Sequence, residues 1–398
     1  MANTTPTQAE EVRLNITDWN HEARGVGRLA DGRVVFVAGA LPGEEVTARI
    51  TRRVKGVAEA NMLQCLSPSP ERVTPPCPLF GRCGGCAAQH RCHEGTLAWK
   101  QQRAVQAMAR IGGVPEGTYR VRDIVPTGPW RTRNKAEYRI AGDKVGFFAA
   151  KSHDIIDAPD CLLQHPEIVR LAQAVRERIG RKKTAAPGEA IIRVTCAGVG
   201  WVSGGLLGHK NMPLEEQLDG MRYQLEPGAF WQVNHEGLDA MLHLVLDFAK
   251  LTGSERVLDA YCGVGAFTLP LAKRAASALG IEWYGPAVVS ARANAALNGV
   301  DNARFVSAKT EDYLAAHGKE RFDVIVLDPP RTGCHADTLA GMANSGASRI
   351  VYVSCDPATL ARDVSLLRGL GYRLDELACV DMFPWTGHVE TVALLSKL

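Results

Sequence analysis

The sequence lacks the segments that place proteins in or across membranes. Nowhere do about 18 consecutive apolar residues occur, and the start, MANTTPTQAEE, has neither a basic region nor an apolar stretch. We therefore expect no transmembrane helix, no secretory signal and no membrane partner, and we expect a cytoplasmic protein. With 398 residues, of which 46% are hydrophobic, the chain is long enough to bury two or three cores.

The sequence also lacks internal repeats, low-complexity segments and a strong net charge, which is only +3. Its charge is nevertheless uneven, because residues 100–153 contain eleven Lys and Arg but only four Asp and Glu. A local excess of cations is typical of a surface that faces phosphate groups. This segment is therefore a candidate nucleic-acid contact.

A disulfide framework explains the cysteine content poorly. Eleven cysteines are an odd number, and a chain without a secretory signal is expected to keep its thiols reduced. Metal binding or thiolate chemistry is the better explanation.

Changes in composition predict three folded segments after a disordered tail over residues 1–9. Residues 10–66 contain short alternating runs, such as RVVFVAGA and EEVTARITR, between Gly-rich turns, which favours a β-barrel of the OB type. The stretch PSPERVTPPC, residues 68–77, has four prolines and is typical of a linker. Residues 67–228 form a central α+β segment, with a helix near 93–112 that we expect to pack on the catalytic domain.

The remaining segment, residues 229–398, predicts an α/β domain. Strands such as RVLDA, FDVIVLDPP and RIVYVSC alternate with helical stretches, the pattern of a doubly wound parallel sheet whose ligands bind at the carboxyl ends of the strands. In RVLDAYCGVGAFTLPLA, Gly263 and Gly265 allow the backbone to approach a ligand closely. Thr268 stands where a dinucleotide fingerprint has its third glycine, which argues against NAD.

Two carboxylates follow this glycine loop. Glu282 ends the next strand, in SALGIEW, where it is placed to accept two ribose hydroxyls. Asp312, in KTEDYL, follows the third strand and is placed to face an adenine amino group. Each alone is as easily a solvated loop residue. The order of strand, glycine loop, acid and acid resembles the S-adenosylmethionine-dependent methyltransferases and implies that cofactor.

The fourth and fifth strands narrow the reaction. Strand four ends in LDPPRTG, where Arg331 replaces the aromatic residue of methyltransferases that modify exocyclic amines, so a carbon target is favoured. Cys355 ends strand five in VYVSCDPATLARD, before a helix that Asp356 caps and Pro357 starts. C5 of a pyrimidine attacks a methylsulfonium only after a thiolate has added to C6. Cys355 is therefore a candidate nucleophile, with an inert core thiol as the alternative.

The motifs SCDPATLARD, DPPRTG and DMFPWTGHVE resemble those of the RNA 5-methyluridine methyltransferases, in particular the bacterial 23S ribosomal-RNA branch. The resemblance covers nearly the whole chain and implies a Rossmann-like catalytic domain, an N-terminal TRAM barrel, Cys355 as nucleophile and Glu390 as the base that removes the C5 proton. His388 is the rival base. The residues that the resemblance implies for donor binding are Gln232, Tyr261, Gly263, Gly265, Glu282, Asp312 and Asp328. Some members have Asn where this chain has Ala266.

A second cysteine array lies in CPLFGRCGGC. Cys77, Cys83 and Cys86 form a C-x5-C-x2-C pattern, and Cys161 follows far downstream in DAPDCLLQH. These four resemble the ligands of the family's [4Fe-4S] cluster. Zinc is the alternative, because thiolates serve both metals and Cys92, His90 or His93 would complete a tetrahedral site. Because methyl transfer needs no electron transfer, we expect the cluster to be structural or to position RNA.

The expected RNA contacts lie in WRTRNKAEYR, where cations alternate with aromatic residues that can stack on unpaired bases. The candidates are Trp130, Arg131, Arg133, Asn134 and Lys135. A uracil inside a duplex cannot present C6 to a thiol, so the target is unpaired or flipped. We expect 23S ribosomal RNA as the partner of a monomeric enzyme, with a transfer-RNA loop as the alternative within the family.

Two other classes of function remain as alternatives. A cytosine-C5 methyltransferase would resemble its family better with a cysteine directly after the proline on strand four, and LDPPRTG has none. A non-catalytic RNA-binding iron-sulfur protein would not need Cys355 and Glu390 in these motifs.

Overall fold

The computed structural model describes residues 10–54, 56–181, 188–208, 213–226 and 228–398, so the tail predicted over residues 1–9 lies outside the described residues. The helices are α1 (His93–Arg110), α2 (Pro166–Arg181), α3 (His235–Ala249), α4 (Thr268–Ala272), α5 (Gly285–Leu297), α6 (Thr310–Ala316), α7 (Ala336–Asn344) and α8 (Pro357–Gly369). The strands of the first half are β1 (Glu11–Asn15), β2 (Asp18–Trp19), β3 (Gly25–Arg28), β4 (Val34–Ala38), β5 (Glu45–Val54), β6 (Val57–Ser67), β7 (Arg120–Val121), β8 (Lys135–Ala141), β9 (Lys144–Phe148), β10 (Ile155–Asp157), β11 (Glu189–Val194) and β12 (Gly200–Val202). Those of the second half are β13 (Leu214–Leu218), β14 (Met221–Leu225), β15 (Arg256–Ala260), β16 (Ser277–Glu282), β17 (Ala303–Ser307), β18 (Val324–Leu327), β19 (Arg349–Ser354), β20 (Tyr372–Val380) and β21 (Glu390–Lys397).

The chain divides into two compact units, the first of which comprises the residues before Leu97 with Phe147–Ala158 and Trp385–Gly387. Its six-stranded sheet has the order β1-β5-β6-β4-β3-β2, and β4 with β6 is its parallel pair. Register shifts between β5 and β6 let the sheet curve. The buried side chains of this sheet include Val35, Val37, Val46, Ala48, Ala58 and Ala60. The alternation of buried and exposed residues confirms the prediction of a β-rich N-terminal region.

A buried carboxylate attaches the start of the proline-rich segment to this sheet. Glu44 is 1% exposed, accepts hydrogen bonds from the Leu41 and Ser69 amides at 2.8 and 3.2 Å, and pairs with Arg72 at 2.7 Å. Removing one partner of such a pair leaves a buried charge uncompensated, which costs about 3–5 kcal/mol. The first residues of the segment predicted as a linker are therefore held against the sheet.

The second unit comprises Leu97–Gly146, Pro159–Pro384 and His388–Leu398, and its main sheet has the strand order β17-β16-β15-β18-β19-β21-β20-β7. Strands β15 to β19 are parallel, and β21 lies antiparallel between β19 and β20. This arrangement confirms the predicted doubly wound α/β sheet. The order reverses between β15 and β18, so the ligand crevice lies at the carboxyl ends of these two strands.

Each face of the main sheet has its own hydrophobic core. Helices α3, α4 and α5 contribute to one core, and α1, α7 and α8 contribute to the other. Neighbouring residues of one strand alternate between the two, with Val257 in the first and Leu258 in the second. Both faces are therefore covered, which explains why the central strands are continuous apolar runs.

The remaining part of the second unit is antiparallel. Strand β8 pairs with β11 and with the Lys144–Gly146 part of β9, β11 pairs with β12, and β13 forms a hairpin with β14. The division into two units does not test the predicted boundaries at 66/67 and 228/229, because the second unit includes both this antiparallel part and the main sheet. These boundaries therefore stay predictions. In the part of the chain that the structure describes, no helix has the length and apolar character needed to cross a membrane.

Candidate active site

Cys355 lies between β19 and α8, at the carboxyl edge of the main sheet. Asp356 is the N-cap of α8, and its carboxylate accepts hydrogen bonds from the Ala358 and Thr359 amides, both at 2.9 Å. Pro357 occupies the first turn, where no amide hydrogen is needed. The Cys355 side chain is half-buried, so the helix start holds a thiol that solvent and a substrate can still reach.

Glu390 faces the same edge from the neighbouring strand. Strands β19 and β21 are antiparallel, with Ser354 opposite Thr391, so one further step in this register brings Cys355 opposite Glu390. The Thr391 hydroxyl donates to the Ser354 carbonyl at 2.8 Å and strengthens this end of the pairing. Glu390 is only 3% exposed. The sheet register therefore brings together a thiol and a buried carboxyl that are 35 residues apart in the printed sequence.

The electrostatics of this pair oppose ionisation in the free protein. Burial and then the Glu390 carboxylate raise the pKa of the Cys355 thiol to about 11, while Arg331 acts in the other direction. Burial and then Asp328 raise the pKa of Glu390 to about 8, again with Arg331 opposing. Burial raises the pKa of Asp328 itself to about 7. The site therefore gathers acidic groups whose ionised forms require a nearby positive charge.

His388, the rival base, lies in a different electrostatic environment. Burial of the ring and the surrounding cations, first Arg331 and then Lys100, lower the pKa of His388 to about 4, although the residue as a whole is exposed to solvent. Its ring packs edge-on against Phe383, with 5.9 Å between centroids. A neutral imidazole of such low basicity accepts a proton less readily than Glu390.

The glycine loop and Glu282 form a second cluster at the carboxyl ends of β15 and β16. Glu282 accepts hydrogen bonds from the Gly263 amide at 3.2 Å and from the Tyr284 amide at 2.8 Å. Gly263, Gly265 and Tyr261 all have positive φ, of 54°, 89° and 66°. The predicted donor-binding residues Tyr261, Gly263, Gly265 and Glu282 therefore lie together, in a loop whose backbone conformation requires glycine at two positions.

Asp328 and Asp312 complete the predicted donor set on the neighbouring strands. Asp328 follows β18, and its amide donates to the Ala260 carbonyl of β15 at 3.4 Å. Asp312 lies in the first turn of α6, after β17. Both residues are thus placed at the carboxyl edge, beside the crevice formed by the reversal of strand order.

Thr268 has a role that the sequence did not predict. Its hydroxyl donates at 2.5 Å to Asp259, the buried carboxyl near the end of β15. Burial raises the pKa of Asp259 to about 7, and its second oxygen, Oδ1, has no hydrogen-bond partner. Thr268, which argued against a dinucleotide fingerprint, therefore donates a hydrogen bond to one oxygen of a buried acid. The hydroxyl group of Thr268 was the sequence feature that could have indicated this contact.

Gln232 lies in a loop before α3. Three hydrogen bonds, donated by Arg193 and Asn134, hold the backbone carbonyls of that loop. The Arg193 guanidinium donates to the Ala229 carbonyl at 2.9 Å. Asn134 donates through its side chain to the Gln232 carbonyl at 3.1 Å and through its amide to the Val233 carbonyl at 2.8 Å. Arg193 was missed because a single arginine in a β-strand pattern does not indicate burial.

A buried ion pair joins α1 to the segment before β21. Lys100 and Asp381 are both fully buried, and the Lys100 ammonium also donates to the Phe383 carbonyl at 2.8 Å. Burial lowers the pKa of Lys100, while Asp381 acts to raise it. The pair fixes the backbone a few residues before His388 and Glu390. The large separation of Lys100 and Asp381 in sequence left no local signal for this contact.

The predicted RNA segment is partly committed to contacts within the protein. Arg131 donates to the Cys161 carbonyl at 2.9 Å, the Arg133 guanidinium lies 5.1 Å from the Phe383 ring centroid, and Lys135 pairs with Glu137 at 3.0 Å. Trp130, Arg131, Arg133 and Lys135 are half-buried. Asn134 is only 8% exposed, which leaves little of its side chain for a nucleic acid.

The four predicted cluster ligands have intermediate exposure. Cys77, Cys83 and Cys86 belong to the first unit and Cys161 to the second. Burial raises the pKa of Cys83, with a smaller contribution from Cys77. Over the ranges that the structure describes, no three His, Cys, Asp or Glu side chains form a group ready to hold a metal ion. The iron-sulfur cluster therefore stays a prediction.

Two family models match the sequence. The model described as tRNA (Uracil-5-)-methyltransferase matches residues 210–398, which include the whole of the main sheet except β7. The TRAM domain model matches residues 7–63, the β-rich N-terminal region.

Similar proteins span almost the full length of this chain. An RNA methyltransferase of Halalkalibacterium halodurans is 34% identical over 96% of this chain and 96% of its own length. The 23S rRNA (uracil(1939)-C(5))-methyltransferase RlmD of Alkalilimnicola ehrlichii is 36% identical over 98% of this chain and 97% of its own length.

A solved structure matches the overall architecture. The tRNA (uracil-54, C5)-methyltransferase of Pyrococcus abyssi, in complex with S-adenosyl-L-homocysteine, has a TM-score of 0.78 and 26% identity and covers 96% of this chain and 100% of its own. Together with the α/β fold and the glycine loop, these similarities show that the chain is an S-adenosylmethionine-dependent enzyme that acts on RNA. It belongs to the RNA uracil-C5 methyltransferase family.

Proposed function

We propose that this enzyme methylates C5 of an unpaired uridine in 23S ribosomal RNA, with Cys355 as nucleophile and Glu390 as base. The observation that carries the proposal is that β19 and β21 pair as far as Ser354 and Thr391, so that their chain neighbours Cys355 and Glu390 lie at the same carboxyl edge of the sheet, where the Glu390 carboxylate raises the pKa of the Cys355 thiol. The nucleophile attacks C6 and the base removes a proton from C5, so both side chains have to reach neighbouring carbons of one pyrimidine ring. Residues at the same end of two adjacent strands meet this requirement.

The chemistry divides into three steps. The Cys355 thiol transfers its proton to solvent water, and its sulfur forms a bond to C6 while the C5–C6 π electrons move toward the C4 carbonyl. S-Adenosylmethionine supplies the methyl group, which C5 takes as the bond from methyl to sulfonium sulfur breaks. Glu390 then accepts the C5 proton, the C5–C6 double bond re-forms, and the Cys355 thiolate leaves C6.

The raised pKa values support an order in which the methyl donor binds before Cys355 and Glu390 become reactive. At neutral pH the free protein keeps Cys355 as a thiol and keeps much of Glu390 protonated, because burial and neighbouring acids disfavour both anions. A cation bound near these groups would lower both pKa values, and the methyl donor is a sulfonium cation. We therefore expect Cys355 and Glu390 to reach their reactive forms after the donor has bound.

The donor site that we propose consists of Gln232, Tyr261, Gly263, Gly265, Glu282, Asp312 and Asp328. Its support is the cluster in which Glu282 and the glycine loop are joined by hydrogen bonds. The donor set suits a ligand with ribose hydroxyls and an amino group, which are groups that carboxylates accept hydrogen bonds from.

The proposed RNA contacts are Trp130, Arg131, Arg133 and Lys135. Asn134, whose side chain is largely buried, would support these contacts indirectly. Their support is the excess of cations in residues 100–153 and the partial exposure of the four side chains. Cations at such positions fix the phosphate backbone but do not read its sequence. Choice of the uridine therefore depends on the shape of the RNA as well.

We also propose that Cys77, Cys83, Cys86 and Cys161 hold a [4Fe-4S] cluster. The support is the C-x5-C-x2-C spacing of Cys77, Cys83 and Cys86. Such a cluster would have a structural role rather than a redox role, because no proposed step transfers an electron.

Two similar proteins favour different RNAs. The RlmD relative methylates 23S ribosomal RNA, whereas the solved structure, which covers 96% of this chain, is a transfer-RNA enzyme. Transfer RNA is therefore the second candidate substrate.

Mass mapping of 5-methyluridine in the ribosomal and transfer RNA of a deletion strain distinguishes the two substrates. We expect loss at a position of 23S ribosomal RNA and restoration by the wild-type gene but not by Cys355→Ala. Loss confined to transfer RNA would transfer the proposal to the second substrate, and unchanged 5-methyluridine in both would contradict it.

A further inference from the structure

Asn134 lies between the cations of the RNA segment, yet its backbone belongs to the interior. Its amide donates to the Val233 carbonyl at 2.8 Å, and its own carbonyl accepts from the Val194 amide at 2.8 Å. One residue thus joins the donor loop on one side to β11 on the other. These two bonds are made by the main chain, so a side-chain substitution leaves their donors and acceptors in place.

The side chain of Asn134 adds one contact at a cost. Its Nδ2 donates to the Gln232 carbonyl at 3.1 Å, while its Oδ1 is buried without a hydrogen-bond partner. A buried acceptor left without a partner is destabilising, and an apolar side chain of the same shape would avoid that cost. Stability alone therefore does not explain an amide here, whereas the contact with Gln232 does.

The ends of the Gln232 loop are held by other residues. Arg193 binds the Ala229 carbonyl at 2.9 Å. At the other end Asn234, 1% exposed, caps α3 by accepting from the Gly237 amide at 3.2 Å and donates to the Thr127 hydroxyl at 3.0 Å. Gln232 lies between these two anchors. The side chain of Asn134 is the contact that fixes the carbonyl of Gln232 itself.

The residue before Asn134 belongs to the proposed RNA contacts and is itself tied down through its backbone. The Arg133 amide donates to the Leu163 carbonyl at 3.0 Å, and the Arg133 carbonyl accepts from the His165 amide at 2.9 Å. A phosphate bound by Arg133 and Lys135 would restrain the chain on both sides of Asn134. The restraint would pass from Arg133 to its chain neighbour Asn134. From the Asn134 side chain it would reach the Gln232 carbonyl through one hydrogen bond.

We propose that Asn134 is a positioning residue that couples RNA binding at Arg133 and Lys135 to methyl-donor binding at Gln232. The inference rests on the proposed function, because it takes the RNA and donor roles of these residues from there. Coupling between two ligands is reciprocal, so the donor strengthens RNA binding by the same factor. The enzyme would thereby retain the donor best when an RNA is present to receive the methyl group.

The test measures the Kd of S-adenosylhomocysteine, which cannot react, with and without a short RNA stem-loop that carries an unpaired uridine. In the wild type we expect RNA to tighten binding by about 5- to 150-fold, the usual range of coupling between sites. In Asn134→Ala we expect this factor to fall toward one, because binding weakens more in the presence of RNA than in its absence. The matched control is Asn298→Ala, whose side chain donates to the Arg222 carbonyl at 2.6 Å in another part of the unit, and it should keep the wild-type factor.

A second variant separates positioning from general destabilisation. In Asn134→Asp the introduced carboxyl can donate to the Gln232 carbonyl only when it is protonated, and burial raises its pKa. Relative to wild type at each pH, the coupling factor of this variant should therefore rise as the pH falls from about 8 to about 6. A loss of packing would not be restored by protonation.

The outcomes distinguish the inference from the function on which it rests. If the wild type binds both ligands but shows no coupling, or if both Asn134 variants keep the full factor at every pH, Asn134 does not couple the two sites. If Asn134→Ala does not fold, as judged by circular dichroism, the pH series of Asn134→Asp decides. If the wild type binds neither S-adenosylhomocysteine nor uridine RNA, the proposed function itself fails.

Discussion

Glu282 and Glu390 are carboxylates at the same edge of one sheet, yet their surroundings differ. Glu282, at the end of β16, accepts hydrogen bonds from the amides of Gly263 and Tyr284. Glu390, at the start of β21, is enclosed, and burial followed by the charge of Asp328 raises its pKa to about 8. The first environment holds a carboxylate in place, and the second prepares a carboxyl group to exchange a proton near neutral pH.

Position on the sheet does not by itself decide the role of an acid. Both residues lie where ligands of doubly wound sheets bind. What differs is whether backbone donors or acidic neighbours surround the carboxyl group. We expect substitutions on the Glu390 side to affect the chemical steps and substitutions on the Glu282 side to affect binding.

The largest effect is expected for Cys355→Ala, which removes the proposed nucleophile beside Glu390. Methylation should fall by at least about 10⁴-fold, the scale of losing a covalent nucleophile. The variant should still bind S-adenosylhomocysteine and RNA, and it should form no covalent adduct with 5-fluorouridine RNA on a denaturing gel. An adduct that persists in this variant would show that another residue attacks C6.

Glu390→Gln should separate methyl transfer from release. Turnover should fall by about 10²- to 10⁴-fold, the contribution typical of a general base. Because methyl transfer precedes proton removal, the variant should trap itself on ordinary uridine RNA. A denaturation-resistant complex that contains the labelled methyl group is the expected measurement.

His388→Gln is the matched control for the trapping experiment. The low pKa of His388, about 4, makes it a weak base, so this variant should not accumulate the complex. If His388→Gln traps RNA and Glu390→Gln turns over normally, His388 is the base. The raised pKa of Glu390 would then not reflect a role in proton transfer.

Glu282→Ala should weaken donor binding and leave RNA affinity nearly intact. Losing hydrogen bonds to a charged group costs about 1.5–3 kcal/mol, so the Kd of S-adenosylhomocysteine should rise by about 10- to 150-fold in a calorimetric titration. Part of this loss comes from the glycine loop, whose Gly263 amide would lose its partner. Glu282→Gln keeps an oxygen for that amide and should lose less, whereas an equal loss of RNA affinity would indicate a folding defect.

The smallest effect is expected for Cys83→Ser, outside both acidic environments. Iron and sulfide content should fall and RNA affinity should decrease, while the Kd of S-adenosylhomocysteine stays close to the wild-type value. Cys196→Ser, which changes an exposed cysteine outside the array, is the control. Unchanged folding and RNA binding in Cys83→Ser would remove the structural role that we propose for the cluster.

Features that depend on the local order of residues could be predicted from the printed sequence. The β-rich N-terminal region follows from alternating residues, and the doubly wound sheet follows from apolar strands that alternate with helices. The junction at Cys355 was predictable because the cap Asp356 and the first-turn Pro357 are its immediate neighbours. The glycine loop and Glu282 were predictable for the same reason, since each lies at the end of its own strand.

Contacts between groups that are distant in sequence, and the pKa shifts that these contacts cause, became visible in the folded structure. The register of β19 with β21 brings Glu390 to Cys355, and burial at that point raises both pKa values. The Lys100–Asp381 pair and the turn of the Asn134 side chain toward Gln232 likewise have no local signal. The physical reason is that burial and Coulomb interactions depend on distance in space, and patterns of residue type along a chain record only distance in sequence.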